Sequence, residues 1–193
     1  MQAAGQLGRT QKNLSRTLGR ISSGMRITQA ADDAAGLGVA TALETSVIST
    51  RQAMRNANDG ISIIQTAESA TNEVTDILQR MRELAIQSAS DTLADEERSY
   101  IQDEFLQLRQ EVERIAAVTE FNGVSLTDGS SSSIDVQVGI QNATSSLITI
   151  TLGDLTTNAG LGISAMSLVT SSGARSALDF LDTALSSVNS TRS

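Results

Sequence analysis

The sequence predicts a mainly α-helical fold: an elongated antiparallel helical bundle, or rod, with a small β-hairpin region. Three observations support this prediction. Residues 33–88 contain no proline and only three glycines, and apolar residues recur there at steps of three or four. Residues 101–119 carry an apolar seam of the kind that packs one helix against another. Two short β-branched runs follow, between residues 134 and 152.

The first predicted element is an amphipathic helix over residues 1–22. Its apolar side chains share one face and its cationic side chains another. Gly24 follows it, and glycine is the usual residue at which a helix stops. The apolar stripe has no obvious partner elsewhere in the sequence, so we assign it to self-assembly. It consists of Leu7, Leu14, Leu18 and Ile21.

A connector over residues 23–35 leads to a long helix over residues 36–89. Asp32 or Asp33 is suited to start this helix, because an acidic side chain there satisfies free amides and the positive end of the helix dipole. About 55 helical residues would span about 80 Å, whereas a compact domain of this chain length has a radius of gyration of about 16 Å. A helix of that length favours a rod-shaped molecule. Rod-shaped subunits pack against neighbours, so we expect a role in assembly. Its expected inward positions are Val47, Met54, Ala57, Ile61, Ile64, Val74, Leu78, Met81, Ala85 and Ser88.

A helix over residues 95–119 is predicted next, with Asp91 or Thr92 as its cap and three acidic residues in its first turns. The short connector before it predicts antiparallel packing on the long helix. We expect its seam to face Ile61, Ile64, Val74, Leu78 and Met81. The seam consists of Ile101, Phe105, Leu108, Val112, Ile115 and Thr119.

Residues 124–170 are predicted to form a β-hairpin region. Ile134, Val136 and Val138 alternate with polar residues, and residues 147–152 form a second β-branched run. The last helix is predicted over residues 174–193, with Ala177, Leu178, Leu181, Leu185 and Val188 on one face. It stays amphipathic to the last residues without a stop signal, so we expect it to continue in a longer parent chain.

Composition argues against catalysis. The chain has no histidine and no cysteine, which removes the usual catalytic triads, thiolate chemistry and the commonest zinc ligands. No phosphate-binding P-loop motif occurs, and adjacent carboxylates such as Asp32 and Asp33 diverge on a helix. We therefore expect no enzyme activity, no cofactor and no metal site.

Charge and hydropathy narrow the set of partners. The net charge of −8 argues against a general nucleic-acid binder, and no apolar run is long enough to span a membrane. Residues 1–31 are nevertheless basic and contain no acid before Asp32. This segment can serve as a solvated face or subunit contact, or it can touch phosphates or lipid headgroups. No cleavable signal peptide is evident at the N-terminus.

Four blocks, in order, carry a resemblance to a known family. They read LGRISSGMRITQAADDAAG at residues 18–36, RNANDGISIIQTAE at 55–68, LQRMRELAIQSA at 78–89 and TEFNGV at 119–124. The sequence resembles the N-terminal region of bacterial flagellin, closely over residues 7–140. Residues 177–193 are similar to the start of the C-terminal rod helix of that family.

The resemblance implies a structural subunit of the bacterial flagellar filament, a homopolymer used for swimming. Residues 1–22 would be the end of the N-terminal helix of an inner coiled-coil tube, 23–35 a connector and 36–193 the rod domain. The outer variable domain usual in the family is absent or was deleted, and the C-terminal inner helix is missing. We therefore expect the parent chain, but not residues 1–193 alone, to polymerise. Partners would be other flagellin subunits and the flagellar export apparatus, and the location would be extracellular without cleavage of a signal peptide.

The resemblance also implies recognition by an innate immune receptor, the flagellin-sensing Toll-like receptor 5. The positions that match its binding site are Gln79, Arg80, Glu83, Leu84, Gln87 and Glu111. Helical spacing places most of them on an exposed face of the long helix, with Leu84 at its border. Alternatives to a filament subunit are the flagellar hook-filament junction protein, or another helical interaction module such as a membrane or adaptor helix.

Overall fold

A computed structural model describes residues 2–31 and 33–192. Within these residues it has four α-helices and two small antiparallel sheets, which confirms the mainly α fold class. The helices are α1 (Gln2–Ser23), α2 (Ala34–Ser88), α3 (Asp95–Val118) and α4 (Ser171–Arg192), and the strands are β1 (Glu120–Phe121), β2 (Val124–Ser125), β3 (Ser133–Gln137) and β4 (Leu147–Thr151). The chain divides between Gln52 and Ala53 into two compact units, each of which is described by itself.

The first unit contains α1, the connector and the start of α2. Gly24 follows α1 with a φ of 66°, a left-handed conformation that suits glycine at a helix end. Asp33 caps α2 as expected, because its carboxylate Oδ1 accepts a hydrogen bond from the Gly36 N–H at 2.9 Å. The other candidate cap, Asp32, and the expected chain ends at residues 1 and 193 lie outside the described residues.

The core of the second unit is formed by three helices. Both α3 and α4 run antiparallel to α2, since Arg80 pairs with Glu104 at 2.8 Å and Arg192 pairs with Glu68 at 3.5 Å, while Arg82 pairs with Asp182 at 2.7 Å. Side chains from all three helices belong to one apolar cluster. Its fully buried members on these helices include Val74, Leu78, Met81, Leu84, Ala85, Phe105, Val112, Ala116, Ala174, Ala177, Leu181, Ala184 and Val188.

The predicted partners of the α3 seam are correct for one part of α2 and wrong for another. Val74, Leu78 and Met81 are buried with the α3 seam, but Ile61 and Ile64 are exposed, as are Val47 and Met54. The antiparallel α3 ends too early to reach Ile61: counted from the contact between Arg98 and Ser88, its last residue lies about level with residue 68. Beyond that level the same face of α2 stays buried, at Ala53, Gly60 and Ile63. At 100° per residue, Ile61 and Ile64 lie about 140° and 80° from Val74, outside this face.

The hairpin of β3 and β4 covers this part of the buried face. The two strands pair in a register that places Val136 opposite Ile148 and Ile134 opposite Ile150, confirming the hairpin. The Asn56 side-chain amide donates to the Gln137 carbonyl at 2.9 Å. A Cβ on Gly60 would stand 3.4 Å from Val136, at contact distance, so this turn of α2 lies directly against the strand.

Two features of this unit were not expected from the sequence. Residues 120–125 form a separate two-stranded hairpin, β1 with β2, directly after α3. The segment before α4, predicted only as part of the β-hairpin region, also supplies core side chains: Leu155, Leu161, Ile163, Met166 and Leu168 are buried. Its backbone is fixed by side chains of the helices, since Ser88 Oγ donates to the Leu168 carbonyl at 2.6 Å and Glu113 accepts from Thr157 N–H at 2.8 Å.

The start of α3 also differs from the prediction. The N-cap is Ala94, not Asp91 or Thr92, and its N–H donates to the Glu97 carboxylate at 3.0 Å. Asp91 instead pairs with Arg175 of α4 at 3.1 Å. The hydrogen bond from Ser171, followed by the charge of Arg175, lowers the pKa of the Asp91 carboxyl.

A pH-dependent contribution to stability is expected from the pair of Arg82 on α2 with Asp182 on α4. The hydrogen bond from Arg82 lowers the pKa of Asp182, so its stabilisation is present above the unfolded value, about 3.9, and is lost as pH falls through the lower folded value. Asp182→Asn should therefore lower the melting temperature at neutral pH, and the difference from wild type should vanish in acid. Thermal melts across pH measure this, with Asp179→Asn on the same helix as control; a difference that stays constant into acid would contradict it.

Candidate interaction surfaces

The first candidate surface is the apolar stripe of α1. Leu7, Leu14, Leu18 and Ile21 are between 57% and 73% exposed. At 100° per residue they fall within an arc of about 60°, and the basic residues Arg9, Lys12, Arg16 and Arg20 lie on the opposite side. The structure thus places all four predicted residues together on one exposed face of one helix.

A second exposed stripe in the same unit was missed by the sequence analysis. Val39, Leu43 and Val47 on α2 are at least half exposed and follow each other at steps of four. The repeated step was a usable signal, because it defines a helix face. The prediction that Val47 points inward is wrong, and Val39 and Leu43 had no predicted role.

The third candidate surface lies on α2 in the second unit. Gln79, Arg80, Glu83 and Gln87 are exposed and fall within an arc of about 100°. Arg80 pairs with Glu83 at 2.9 Å and with Glu104 of α3 at 2.8 Å. These hydrogen bonds, with that to Glu104 the larger effect, raise the pKa of the Arg80 guanidinium and hold it in one orientation.

Leu84 does not belong to that exposed face. It is 1% exposed and is a member of the apolar cluster of the three helices, so its predicted place at the border of an accessible surface is wrong. Because α3 and α4 both pack on α2, the buried arc is wider than a single helix contact would make it. A leucine side chain at the edge of that arc is then enclosed.

Glu111 forms an ion pair within its own helix and not with the α2 residues of this surface. It lies on α3, is half-buried, and accepts a hydrogen bond from Arg114 Nε at 2.8 Å. That hydrogen bond lowers the pKa of the Glu111 carboxyl. The α3 residue that contacts Arg80 is Glu104, two turns away and on the same side of the helix. Sequence reasoning missed Glu104, although its opposite charge across an antiparallel pair was a usable signal.

These surfaces have features that suit contact with another protein. Among the described residues no group of three or more acidic side chains is arranged to hold a metal ion. In residues 2–31 and 33–192 no helix has both the length and the apolar character needed to cross a membrane. An exposed apolar stripe and an ordered polar face are typical of protein contact surfaces.

Comparisons with known proteins agree on one family. A family model described as the bacterial flagellin N-terminal helical region matches residues 1–132. A flagellin of Halalkalibacterium halodurans is 40% identical over 174 residues, which is 90% of this chain and 64% of the relative. A flagellin of Clostridium tyrobutyricum is 46% identical over 151 residues, 76% of this chain and 40% of the relative. The chain thus spans less than two thirds of either relative's length.

A solved structure supports the same similarity in three dimensions. The crystal structure of Bacillus cereus flagellin matches with a TM-score of 0.63 at 30% sequence identity. The match covers 72% of this chain and 78% of that one. Sequence and fold therefore lead to the same group of proteins.

Proposed function

Because this chain belongs to the bacterial flagellin family, whose members are structural proteins and not enzymes, we propose that it is a subunit of the flagellar filament. The subunits assemble into a helical polymer that serves swimming motility. The exposed apolar stripe of α1 carries this proposal, since it is a contact surface that its own unit leaves open.

A division of labour along the chain is part of this proposal. Residues 1–22 are proposed to be an assembly helix, the end of an inner tube, with residues 23–35 as its connector. Residues 36–193 are proposed to be the rod domain. Export through the flagellar apparatus without cleavage of a signal peptide, and an extracellular location, follow from the same proposal. The curated relatives reported above are named flagellin, which favours a filament subunit over a hook-filament junction protein or an unrelated helical module.

The stripe can be tested by chemical labelling, because these 193 residues contain no cysteine. Any cysteine elsewhere in the full-length product is first replaced by serine. Leu14→Cys introduced into the full-length product of the gene should react with a maleimide in the monomer and become protected on polymerisation. The expected reduction in labelling rate is about tenfold or more, since an interface core excludes reagent and water.

A second proposed function is recognition by the flagellin-sensing Toll-like receptor 5 of a host. The observation that favours it is the exposed face of Gln79, Arg80, Glu83 and Gln87, where Arg80 is held by two carboxylates. Leu84 is proposed to act from the core, by setting the position of this face, and Glu111 to lie on the neighbouring helix.

Receptor binding by the monomer should weaken most for Arg80→Ala, because arginine is a frequent interface anchor whose truncation costs about 2 kcal/mol or more of binding free energy. Glu111→Ala should weaken binding less, and Leu84→Ala should weaken it only as far as the unit is destabilised. Arg82→Ala is the matched control, since Arg82 lies on the side of α2 that pairs with α4. Equal binding by Arg80→Ala, Glu111→Ala and wild type would contradict the site, and no binding by wild type would contradict the function.

A further inference from the structure

The turn between β1 and β2 contains the single Asn-Gly pair of the sequence, Asn122-Gly123. Both residues have positive φ, 51° for Asn122 and 79° for Gly123, and both are exposed. Phe121 pairs directly with Val124, so these two residues form the whole loop. Two positive φ values in a two-residue hairpin loop define a type I′ turn, for which Asn-Gly is the favoured sequence.

We propose that Asn122 is a site of spontaneous deamidation and that the β1–β2 hairpin restrains the reaction in the folded chain. The backbone nitrogen of Gly123 loses its proton to hydroxide and attacks Cγ of Asn122, forming a C–N bond. The bond from Cγ to Nδ2 breaks, and the leaving NH2 group takes a proton from water and departs as ammonia. Water then hydrolyses the resulting succinimide at either carbonyl. The products are aspartate or isoaspartate at position 122, each with one new negative charge.

Glycine makes this position the most reactive asparagine of the chain. Gly123 has no Cβ to hinder the attacking nitrogen, and outside residues 122–124 no heavy atom lies within 4 Å of the place a Cβ would occupy. The exposed loop residue Asn142 is followed by Ala143, whose Cβ hinders the corresponding attack. Asn142 is therefore an internal control within the same molecule.

The hairpin opposes ring closure through the backbone of Asn122. Left-handed residues have ψ near about +47°, and the five-membered ring needs the Gly123 nitrogen to rotate from there towards the side chain. That rotation cannot occur while strand pairing holds both ends of a two-residue loop, at Phe121 with Val124 and Glu120 with Ser125. Reaction thus requires the hairpin to open.

Contacts with α3 make that opening unfavourable. The Leu126 N–H donates to the Thr119 carbonyl at 3.0 Å, and Thr127 Oγ1 donates to the Ala116 carbonyl at 3.1 Å. Leu126 and Thr127 are both almost fully buried. Release of the turn therefore disturbs buried groups at the end of α3, and local opening of this kind is a minor state in a folded protein.

The isoaspartate product is expected to prevent the hairpin from closing again. Isoaspartate routes the main chain through the side-chain carbon and so adds one backbone atom to a loop that has room for two ordinary residues. Aspartate, by contrast, tolerates the left-handed conformation and keeps the loop length. The two products should therefore differ in their effect on the fold.

The rate can be measured by incubating the full-length protein in mildly alkaline buffer, folded or in guanidinium, with peptide mapping by mass spectrometry. In the unfolded chain Asn122 should lose its amide faster than Asn142 by about tenfold or more. Folding should slow the reaction at Asn122 by a further factor of about ten or more. Equal rates at Asn122 in folded and unfolded protein would overturn the restraint, and equal rates at Asn122 and Asn142 in the unfolded chain would overturn the site.

A second experiment tests whether isoaspartate at position 122 destabilises the β1–β2 hairpin. An isoaspartyl methyltransferase supplied with labelled methyl donor marks the isoaspartyl chains, whose melting temperature is compared with that of the Asn122→Asp variant. The variant should melt close to wild type and the isoaspartyl chain below both. An isoaspartyl chain as stable as the variant would overturn the effect on the hairpin.

Discussion

Replacing Phe105 with alanine is expected to lower the free energy of unfolding of the second unit by about 3–5 kcal/mol. Phe105 is 0% exposed and is the largest fully buried side chain in the apolar cluster of α2, α3 and α4. Its removal leaves a cavity at the centre of helices that are held by antiparallel pairing. Chemical denaturation followed by circular dichroism measures the change.

The chain supplies a matched control for that substitution. Phe180 on α4 is 53% exposed and lies outside the cluster. Phe180→Ala removes the same atoms and should change the unfolding free energy by less than about 1 kcal/mol, as exposed substitutions usually do. Equal effects of the two substitutions, or no effect of Phe105→Ala, would contradict the described core.

Arg98→Ala is expected to be the second most damaging change, at about 2–4 kcal/mol, because buried acceptors would lose their donor. Arg98 is 5% exposed and its guanidinium donates to the Ser88 carbonyl and, at 3.1 Å, to the Leu93 carbonyl. These bonds fix the connection between α2 and α3, residues 89–94. Denaturation curves for the variant and wild type give the difference.

The control for this substitution is another arginine of the same helix. Arg114 is exposed and pairs with Glu111 within one turn, so Arg114→Ala should have little effect on stability. If Arg98→Ala changed the free energy of unfolding as little as Arg114→Ala, the connection between α2 and α3 would not depend on the buried guanidinium. Arg98→Lys should recover part of the loss, because one donor still reaches the carbonyls.

Helical periodicity explains why much of the fold could be predicted. The apolar steps in α2 and the seam of α3 mark one face of each helix, and burial of Val74, Leu78, Met81 and Phe105 followed from them. The alternation in residues 134–138 and the run after residue 147 likewise led to the β3–β4 hairpin. Local patterns of this kind are strong where one face of an element is buried.

Errors arose where the extent of the buried arc was misjudged. Ile61 and Ile64 are exposed because, at 100° per residue, they lie about 140° and 80° from Val74, outside the face of α2 that α3 and the hairpin cover. Leu84 was misplaced in the opposite sense, since two helices enclose it where one was considered. A single helix's periodicity does not report the length or the number of its partners.

Side-chain-to-backbone bonds over long sequence separations were also invisible in the sequence. Ser88 fixes the Leu168 carbonyl eighty positions away, and Glu113 fixes Thr157. Such bonds turn the segment before α4 into part of the core. The Asn-Gly pair at residues 122–123, in contrast, is a local turn signal from which the β1–β2 hairpin could have been predicted.

The central claim is that the exposed stripe of α1 becomes an interface when subunits polymerise. The most direct measurement is the maleimide reaction of Leu14→Cys in monomers and in filaments of the full-length protein, with Ser132→Cys in an exposed loop as control. The account predicts that filaments protect the cysteine at position 14, whereas the one at position 132 reacts in both states. Filaments in which both cysteines react as fast as in monomers would contradict it.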